Sequence, residues 1–293
     1  MGGLALIQGV GYPKPNLSHF RSIEIWDTAS GSDETLQQGW LARAFAKAPP
    51  PASFAADGVI VGGADLGPFD GGARAVNLNN AEQFARQARL ATGGSATKRG
   101  ALDHVLKVEG DIGHAAARLA ATQAGGLRTV FPAHPFGNAV KTACELVAGG
   151  AGVAAIRLTL NGFDTHQNQP GTHANLLKQL AEGLVALQSG LTEANAWDRS
   201  LVMSYAEFGR RPRENQSSGT DHGTAAVHFA LGGRVRGGLY GGSPRLDRLD
   251  ANGNLEHAID FRSLYATALE RWWGLDSRDV LGGRFAPLDR LIV

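Results

Sequence analysis

The sequence of 293 residues lacks several features that would point to a function at once. A single cysteine, Cys144, excludes a disulfide within the chain. Lys and Arg number 28 against 27 for Asp and Glu, so no global field attracts nucleic acid or an anionic membrane. No run approaches the roughly 18 to 20 apolar residues of a membrane span. The start, MGGLALIQGVGYPKPN, lacks the basic flank and the length of a signal peptide. We therefore expect a soluble protein without a nucleic-acid partner, and the oligomeric state stays open.

Short apolar runs alternate with helical patterns along the chain. The predicted strands are Leu4 to Ile7, Gly58 to Val61, Ala75 to Leu78, Gly152 to Leu160, Leu201 to Tyr205 and Val227 to Leu231. The predicted helices are one that Asn16 or Ser18 caps, then Glu34 to Lys47, Ala81 to Gln123 with an interruption, Phe136 to Val147, His173 to Ser189 and a last one from Phe261 to Trp272. This order predicts an α/β fold in which a mostly parallel sheet is flanked by helices, as a single domain over residues 1–293.

Five acidic and imidazole side chains lie near the ends of predicted strands. Asp164 and His166 directly follow a strand, and residues two apart in a turning segment project to the same side. Glu207 ends the next strand, and Asp221 and His222 lie across the polar loop that follows it. Nitrogen and oxygen ligands of this mixture suit zinc, manganese or iron rather than calcium. The sequence therefore predicts a divalent metal site at the carboxyl edge of a sheet.

A structural interpretation of the same residues stands beside this one. Asp164 can form an Asx turn, and His166 can hydrogen-bond a neighbouring loop. Glu207 can form an ion pair with Arg210 or Arg211. Neither interpretation is excluded by the spacing of the residues.

A serine near the start is the candidate nucleophile. Ser18, with His19 beside it, lies at the predicted start of a helix, where unpaired N–H groups and the positive dipole end favour an anionic ester group. Serine is also a common N-cap, so capping is the alternative. Arg21 and Arg210 are candidates for binding the oxygens of a phosphate or sulfate, with a solvated surface charge as the alternative for each.

Several motifs together resemble one bacterial family. They are GYPKPNLSHFRSIEIWDTA, PFGNAVKTACELVAGG, NGFDTHQNQ, AEFGRR and GTDHGTAAVHFALGGRVRGGLYG. On these motifs, which cover most of the chain, the sequence resembles DUF1501, a family of uncharacterised exported bacterial proteins within the alkaline phosphatase/sulfatase-like superfamily. Such proteins begin with a twin-arginine export signal. The resemblance thus implies a periplasmic location, although this chain carries no export signal.

The resemblance implies a three-layer fold with an alkaline phosphatase-like core. It also implies a site for one or two metal ions, with zinc or manganese expected. Ser18 matches the nucleophile position, and Asp164 and His166 match the ligands of one metal. Glu207 stands where the superfamily places an aspartate, but Phe208 replaces the histidine that follows it.

Two further implications concern the second metal and the front of the chain. The pair Asp221 and His222 supplies either the missing imidazole or the late histidine of the other metal, and both assignments stay open. Family members carry an apolar first strand with a metal-binding aspartate, and this chain begins after that strand. We therefore expect an N-terminal truncation and an open sheet edge, which Leu4 to Ile7 or a partner chain would cover.

Two functions follow as hypotheses. The first is a metal-dependent hydrolase of phosphate or sulfate esters of small molecules, with a divalent metal, zinc or manganese, as the cofactor. The second is a non-catalytic protein that keeps the fold and binds a ligand or partner, with an incomplete metal site.

Overall fold

The computed structural model describes residues 3–78 and 126–293. Its strands are β1 (Leu4–Gly11), β2 (Ala56–Val61), β3 (Ala75–Asn77), β4 (Val153–Leu158), β5 (Val202–Met203), β6 (Gly209–Glu214), β7 (Thr220–Gly223), β8 (Ala226–Leu231), β9 (Gly238–Tyr240) and β10 (Ile259–Asp260). Its helices are α1 (His19–Thr28), α2 (Trp40–Lys47), α3 (Pro135–Ala148), α4 (Gln169–Glu193), α5 (Phe261–Thr267) and α6 (Arg278–Leu281). The helix predicted from Ala81 to Gln123 lies outside the described residues. Across the two described ranges, no helix is both long and apolar enough to cross a membrane.

The ends of three predicted elements differ in the structure. Helix α2 begins only at Trp40, because Gly39 takes the N-cap position with extended backbone angles. Helix α4 is longer at both ends than its predicted apolar stripe. Strand β1 continues to Gly11, although a loop was predicted after Ile7. A bulge between Ile7 and Val10, with Gly9 at φ 69°, bends this strand without ending it.

A five-stranded sheet holds β1 between β8 on one side and β9 and β10 on the other. Strand β1 is thus an interior strand of this sheet, paired along both of its edges. Strand β8 runs antiparallel to both β1 and β5, so the prediction of parallel pairing fails for these strands. The physical reason is the connection. The chain between β5 and β8 forms the β6–β7 hairpin, whereas a parallel neighbour needs a long crossover.

The predicted parallel arrangement is present in a second sheet of three strands. Its order is β3-β2-β4, and β2 pairs in parallel with both neighbours. All six residues of β2 are buried, as expected for the middle strand of a parallel sheet that is covered on both faces. The α/β class is therefore confirmed, with one mixed and one parallel sheet. Asp164 and His166 follow the carboxyl end of β4 in this parallel sheet.

The largest core cluster packs α1 and α5 against the five-stranded sheet. Trp26 on α1 is 1% exposed and stacks on Phe261 of α5, with ring centroids 4.3 Å apart. The hydroxyl of Tyr265 donates a hydrogen bond to the backbone oxygen of Trp26. These contacts fix the direction of α1, whose first residue is His19. The core thereby sets where the imidazole of His19 can reach.

A buried carboxyl beside this core predicts that stability depends on pH. Burial raises the pKa of Asp27 to about 7, although the charge of Arg157 opposes the shift. Because the unfolded chain ionises this carboxyl first, the free energy of unfolding should fall by about 2–3 kcal/mol between pH 5 and pH 8. Tyr205 and Asp65 also face this group. Urea unfolding at both pH values tests this, and Asp27→Asn should abolish that part of the difference. An unchanged difference in the variant would contradict the assignment.

Candidate metal centre

Two separate chain segments bring four of the predicted site residues together. Asp164 and His166 lie in the turn after β4, and Asp221 and His222 lie on β7. Backbone hydrogen bonds tie the β6–β7 hairpin to that turn, as between the N–H of Thr220 and the oxygen of Thr165 (3.1 Å). Close backbone packing at Gly219, where any Cβ would lie 2.2 Å from the carbonyl carbon of His166, makes this contact possible.

Asp164 is the centre of the cluster. Its Oδ1 lies 3.0 Å from Nε2 of His166 and 3.0 Å from Nε2 of His222. Its Oδ2 lies 3.2 Å from Nε2 of His19. The two nitrogens of His166 and His222 are themselves 2.9 Å apart. Three imidazoles from three segments therefore present the same ring atom, Nε2, to one carboxylate.

The other nitrogen of each ring faces an oxygen. Nδ1 of His19 lies 2.8 Å from Oε1 of Glu207, and Nδ1 of His222 lies 2.9 Å from the backbone oxygen of Leu17. For His166 the oxygen is Oδ1 of Asp221, at 3.6 Å. This is the outer arrangement of metal-binding histidines, in which an acceptor behind the ring fixes its orientation.

The acceptors determine where the ring protons lie. A carbonyl oxygen can only accept, so Nδ1 of His222 carries the proton that it donates to Leu17. The same holds for His19 opposite the carboxylate of Glu207. In the neutral rings Nε2 then carries an electron pair. Two such pairs point at Asp164, and this arrangement requires a cation or a shared proton between them.

The charge state of Asp164 adds to this requirement. Partial burial would raise the pKa of Asp164, but hydrogen bonds donated by Arg210 and His222, together with the positive charge of the protonated rings of His166 and His19, outweigh it and lower the pKa to about 2. The guanidinium of Arg210 lies 2.6 Å from Oδ1. At neutral pH the group is thus a carboxylate with both oxygens available to positive charge.

The residue types fit a transition metal. Among the described residues, His19, Asp164 and His222 offer ligand atoms that all lie within 4.8 Å of one another. Nε2 of His166 lies next to this group, on the Oδ1 side of Asp164. In a tetrahedral zinc site the ligand atoms are about 3.3 Å apart, close to the 3.0 and 3.2 Å that separate Asp164 from His222 and His19. Imidazole nitrogen with one carboxylate suits zinc better than magnesium or calcium.

Three of the predicted site residues have contacts that differ from those expected for their predicted roles. The sequence grouped Glu207 and Asp221 with the ligands, but in the structure each carboxylate faces an Nδ1 atom on the outer side of a ring. It grouped His19 with the nucleophile, whereas His19 presents Nε2 to the metal side. The ion pair considered for Glu207 with Arg210 is not formed. Arg210 instead binds Asp164.

The predicted nucleophile and anion-binding residues have mixed outcomes. Ser18 is exposed at the N-cap of α1 and makes no side-chain cap hydrogen bond. Arg21 does not reach the cluster. Its guanidinium binds the backbone oxygens of Gly31 and Ser32 and the carboxylate of Glu24, so the loop before α2 satisfies its charge. The anion-binding role of Arg21 stays a prediction, and its described contacts lie within α1 and the loop at residues 31–34.

Phe208 gives the cluster an apolar side. Its ring lies 4.4 Å from the ring of His222 and 4.9 Å from that of His19, between centroids. The resemblance placed Phe208 where the superfamily has a histidine. In the structure it packs against two imidazoles, while Asp164 and His166 remain exposed to solvent.

The chain matches one family model over most of its length. The model is described as "Protein of unknown function (DUF1501)" and covers residues 5–283. No curated protein and no solved structure matches the chain. The chemistry of the site thus has to be argued from its own geometry.

Proposed function

The chain belongs to the DUF1501 family, and from the geometry of its site we propose that it is a metal-dependent hydrolase of phosphate or sulfate esters. One observation carries the proposal. The Nε2 atoms of His19, His166 and His222 converge on the ionised carboxylate of Asp164, at 3.0 to 3.2 Å. A divalent metal would replace the protons that otherwise lie between these nitrogens and the carboxylate, because metal ligands must be deprotonated.

The residues of the chain have distinct proposed roles. When bound, the metal would polarise the ester and favour attack by a hydroxyl. Ser18 is the proposed nucleophile, because it lies at the start of α1, directly before His19, where helix N–H groups favour an anion. Arg210 holds Asp164 and Thr220, so we propose that it orients the carboxylate rather than binding the ester.

The position of the site also supports an alkaline phosphatase-like core. Asp164 follows the carboxyl end of β4, a strand that is parallel to β2. In open α/β sheets, ligands bind outside the carboxyl ends of the strands. This support is limited to the three-stranded sheet, because β8 runs antiparallel to β1 and β5.

Metal analysis combined with an activity assay tests the proposed function. Protein prepared without chelator should retain about one equivalent of zinc or manganese. It should hydrolyse an aryl phosphate or an aryl sulfate, and chelation should abolish turnover. Ser18→Ala should lose turnover while it retains the metal, since the proposed ligands are Asp164 and the three histidines around it. A protein that binds the metal without hydrolysing either ester would contradict the enzyme and leave the metal site intact.

A non-catalytic metal-binding protein is the second candidate. The observation that favours it is that the side chain of Arg21, a candidate for binding the anion, is hydrogen-bonded to the loop at residues 31–34. Phe208 also occupies one side of the imidazole cluster. For this candidate, Ser18→Ala should change neither metal content nor the binding of a partner.

A further inference from the structure

We infer that Glu207 is a positioning residue, whose carboxylate selects the tautomer of His19 so that Nε2 presents an electron pair to the site. This inference rests on the proposed metal site and deepens it. It also changes the role expected for Glu207, which the sequence placed among the ligands.

Glu207 and Asp164 contact opposite nitrogens of the His19 ring. Oε1 of Glu207 lies 2.8 Å from Nδ1 of His19, whose Nε2 lies 3.2 Å from Asp164. The carboxylate therefore lies behind the ring, and Asp164 lies in front of it. A carboxylate accepts hydrogen bonds and cannot donate at neutral pH, so each nitrogen of the charged ring carries a proton. When the ring is neutral it holds one proton, and the shorter contact to Glu207 (2.8 Å, against 3.2 Å to Asp164) favours Nδ1 as its position.

Buried hydrogen bonds hold the backbone of Glu207 in place. Ser22 is fully buried on α1, one turn after His19, and its hydroxyl donates to the backbone oxygen of Glu207 (2.5 Å). The hydroxyl of Tyr12 contacts the same Ser22 oxygen at 2.5 Å and accepts from the N–H of Asn16. This buried chain of hydrogen bonds fixes the backbone at Glu207 relative to α1. The carboxylate is thus held at a fixed position beside the His19 ring that it orients.

The three histidines differ in the acceptor that each Nδ1 atom faces. His222 is fixed by the backbone carbonyl of Leu17, which no side-chain substitution removes. For His166 the Asp221 oxygen lies at 3.6 Å, beyond an ordinary hydrogen bond. All three Nε2 atoms face Asp164, but among these three rings His19 is the one whose Nδ1 has a side-chain acceptor within hydrogen-bond distance. Without that contact either nitrogen can carry the proton, and a protonated Nε2 cannot ligate a metal.

The test uses Glu207→Ala and Glu207→Gln in the full chain, with Glu256→Gln as a control at an exposed ion pair with Arg248. The first readout is ¹⁵N NMR of the imidazoles in metal-free protein, at a pH high enough for the His19 ring to be neutral, with His19 assigned from His19→Gln. The second is the affinity for Co²⁺. Loss of an outer acceptor typically weakens metal binding 10- to 100-fold.

We expect wild type and Glu207→Gln to show His19 protonated at Nδ1, because the amide oxygen of glutamine can still accept. Glu207→Ala should populate the Nε2-protonated form and bind Co²⁺ about 10- to 100-fold more weakly. The same tautomer in wild type and Glu207→Ala would overturn the inference. So would weaker binding in Glu207→Gln equal to that in Glu207→Ala. If wild type binds no Co²⁺, the proposed function fails, and the tautomer comparison still decides the role of Glu207.

Discussion

Replacing Asp164 by asparagine is expected to weaken zinc binding by about a thousandfold. The carboxylate is the common neighbour of three Nε2 atoms, and its two oxygens serve opposite sides of the cluster. Losing an outer acceptor costs about 10- to 100-fold, and losing a charged ligand should cost more. Asparagine keeps the shape of the side chain, so the effect isolates the charge. Isothermal titration with zinc, after removal of bound metal, gives the ratio of dissociation constants.

Two controls separate ligation from simple loss of structure. Asp279→Asn removes an equivalent carboxylate from an exposed pair with Lys47, and we expect zinc affinity to be unchanged. Arg210→Gln removes the cation at Oδ1 of Asp164 and leaves the carboxylate in place. This variant should still bind zinc, since it loses positive charge from the site. Equal zinc affinity in Asp164→Asn and wild type would contradict a metal site at this cluster.

The sequence predicted which residues lie close together better than it predicted the contacts of each side chain. Asp164, His166 and His222 could be selected because they follow strands, and strand ends converge at a sheet edge. The tasks of the two ring nitrogens could not be assigned. Those tasks depend on partners that are remote in the chain, such as Glu207 for His19, 188 residues away. No local pattern reports such a contact.

The same limit explains the errors in the fold. Helix α3 and the strand pair β2 and β4 were predicted because each carries its own periodic or apolar pattern. The direction of β8 was missed, because strand direction depends on the connection and an apolar run has the same pattern in both directions.

Arg21 was assigned to the anion site as a candidate for binding phosphate or sulfate oxygens. Its actual partners, the backbone oxygens of Gly31 and Ser32, belong to a loop with no sequence signal.

Replacing Trp26 by alanine is expected to lower the free energy of unfolding by about 3–5 kcal/mol. Its ring is 1% exposed and packs between Phe261 and His228, at centroid distances of 4.3 and 4.9 Å. Within the described part of the chain its Nε1 has no hydrogen-bond partner, so the loss would come from packing and from the cavity left behind. The helix that loses its anchor, α1, also carries His19. Zinc affinity should therefore fall together with stability.

The matched control for Trp26 is Phe20→Ala, on the same helix with a side chain that is 89% exposed. Removing an exposed aromatic ring should change the free energy of unfolding by no more than about 0.5 kcal/mol. Urea unfolding of both variants and wild type, followed by tryptophan-independent circular dichroism, measures the difference. A loss below about 1 kcal/mol for Trp26→Ala would mean that α1 does not pack on the five-stranded sheet as described. The position of His19 beside Asp164 would then lose its structural basis, because the packing of α1 sets the reach of that ring.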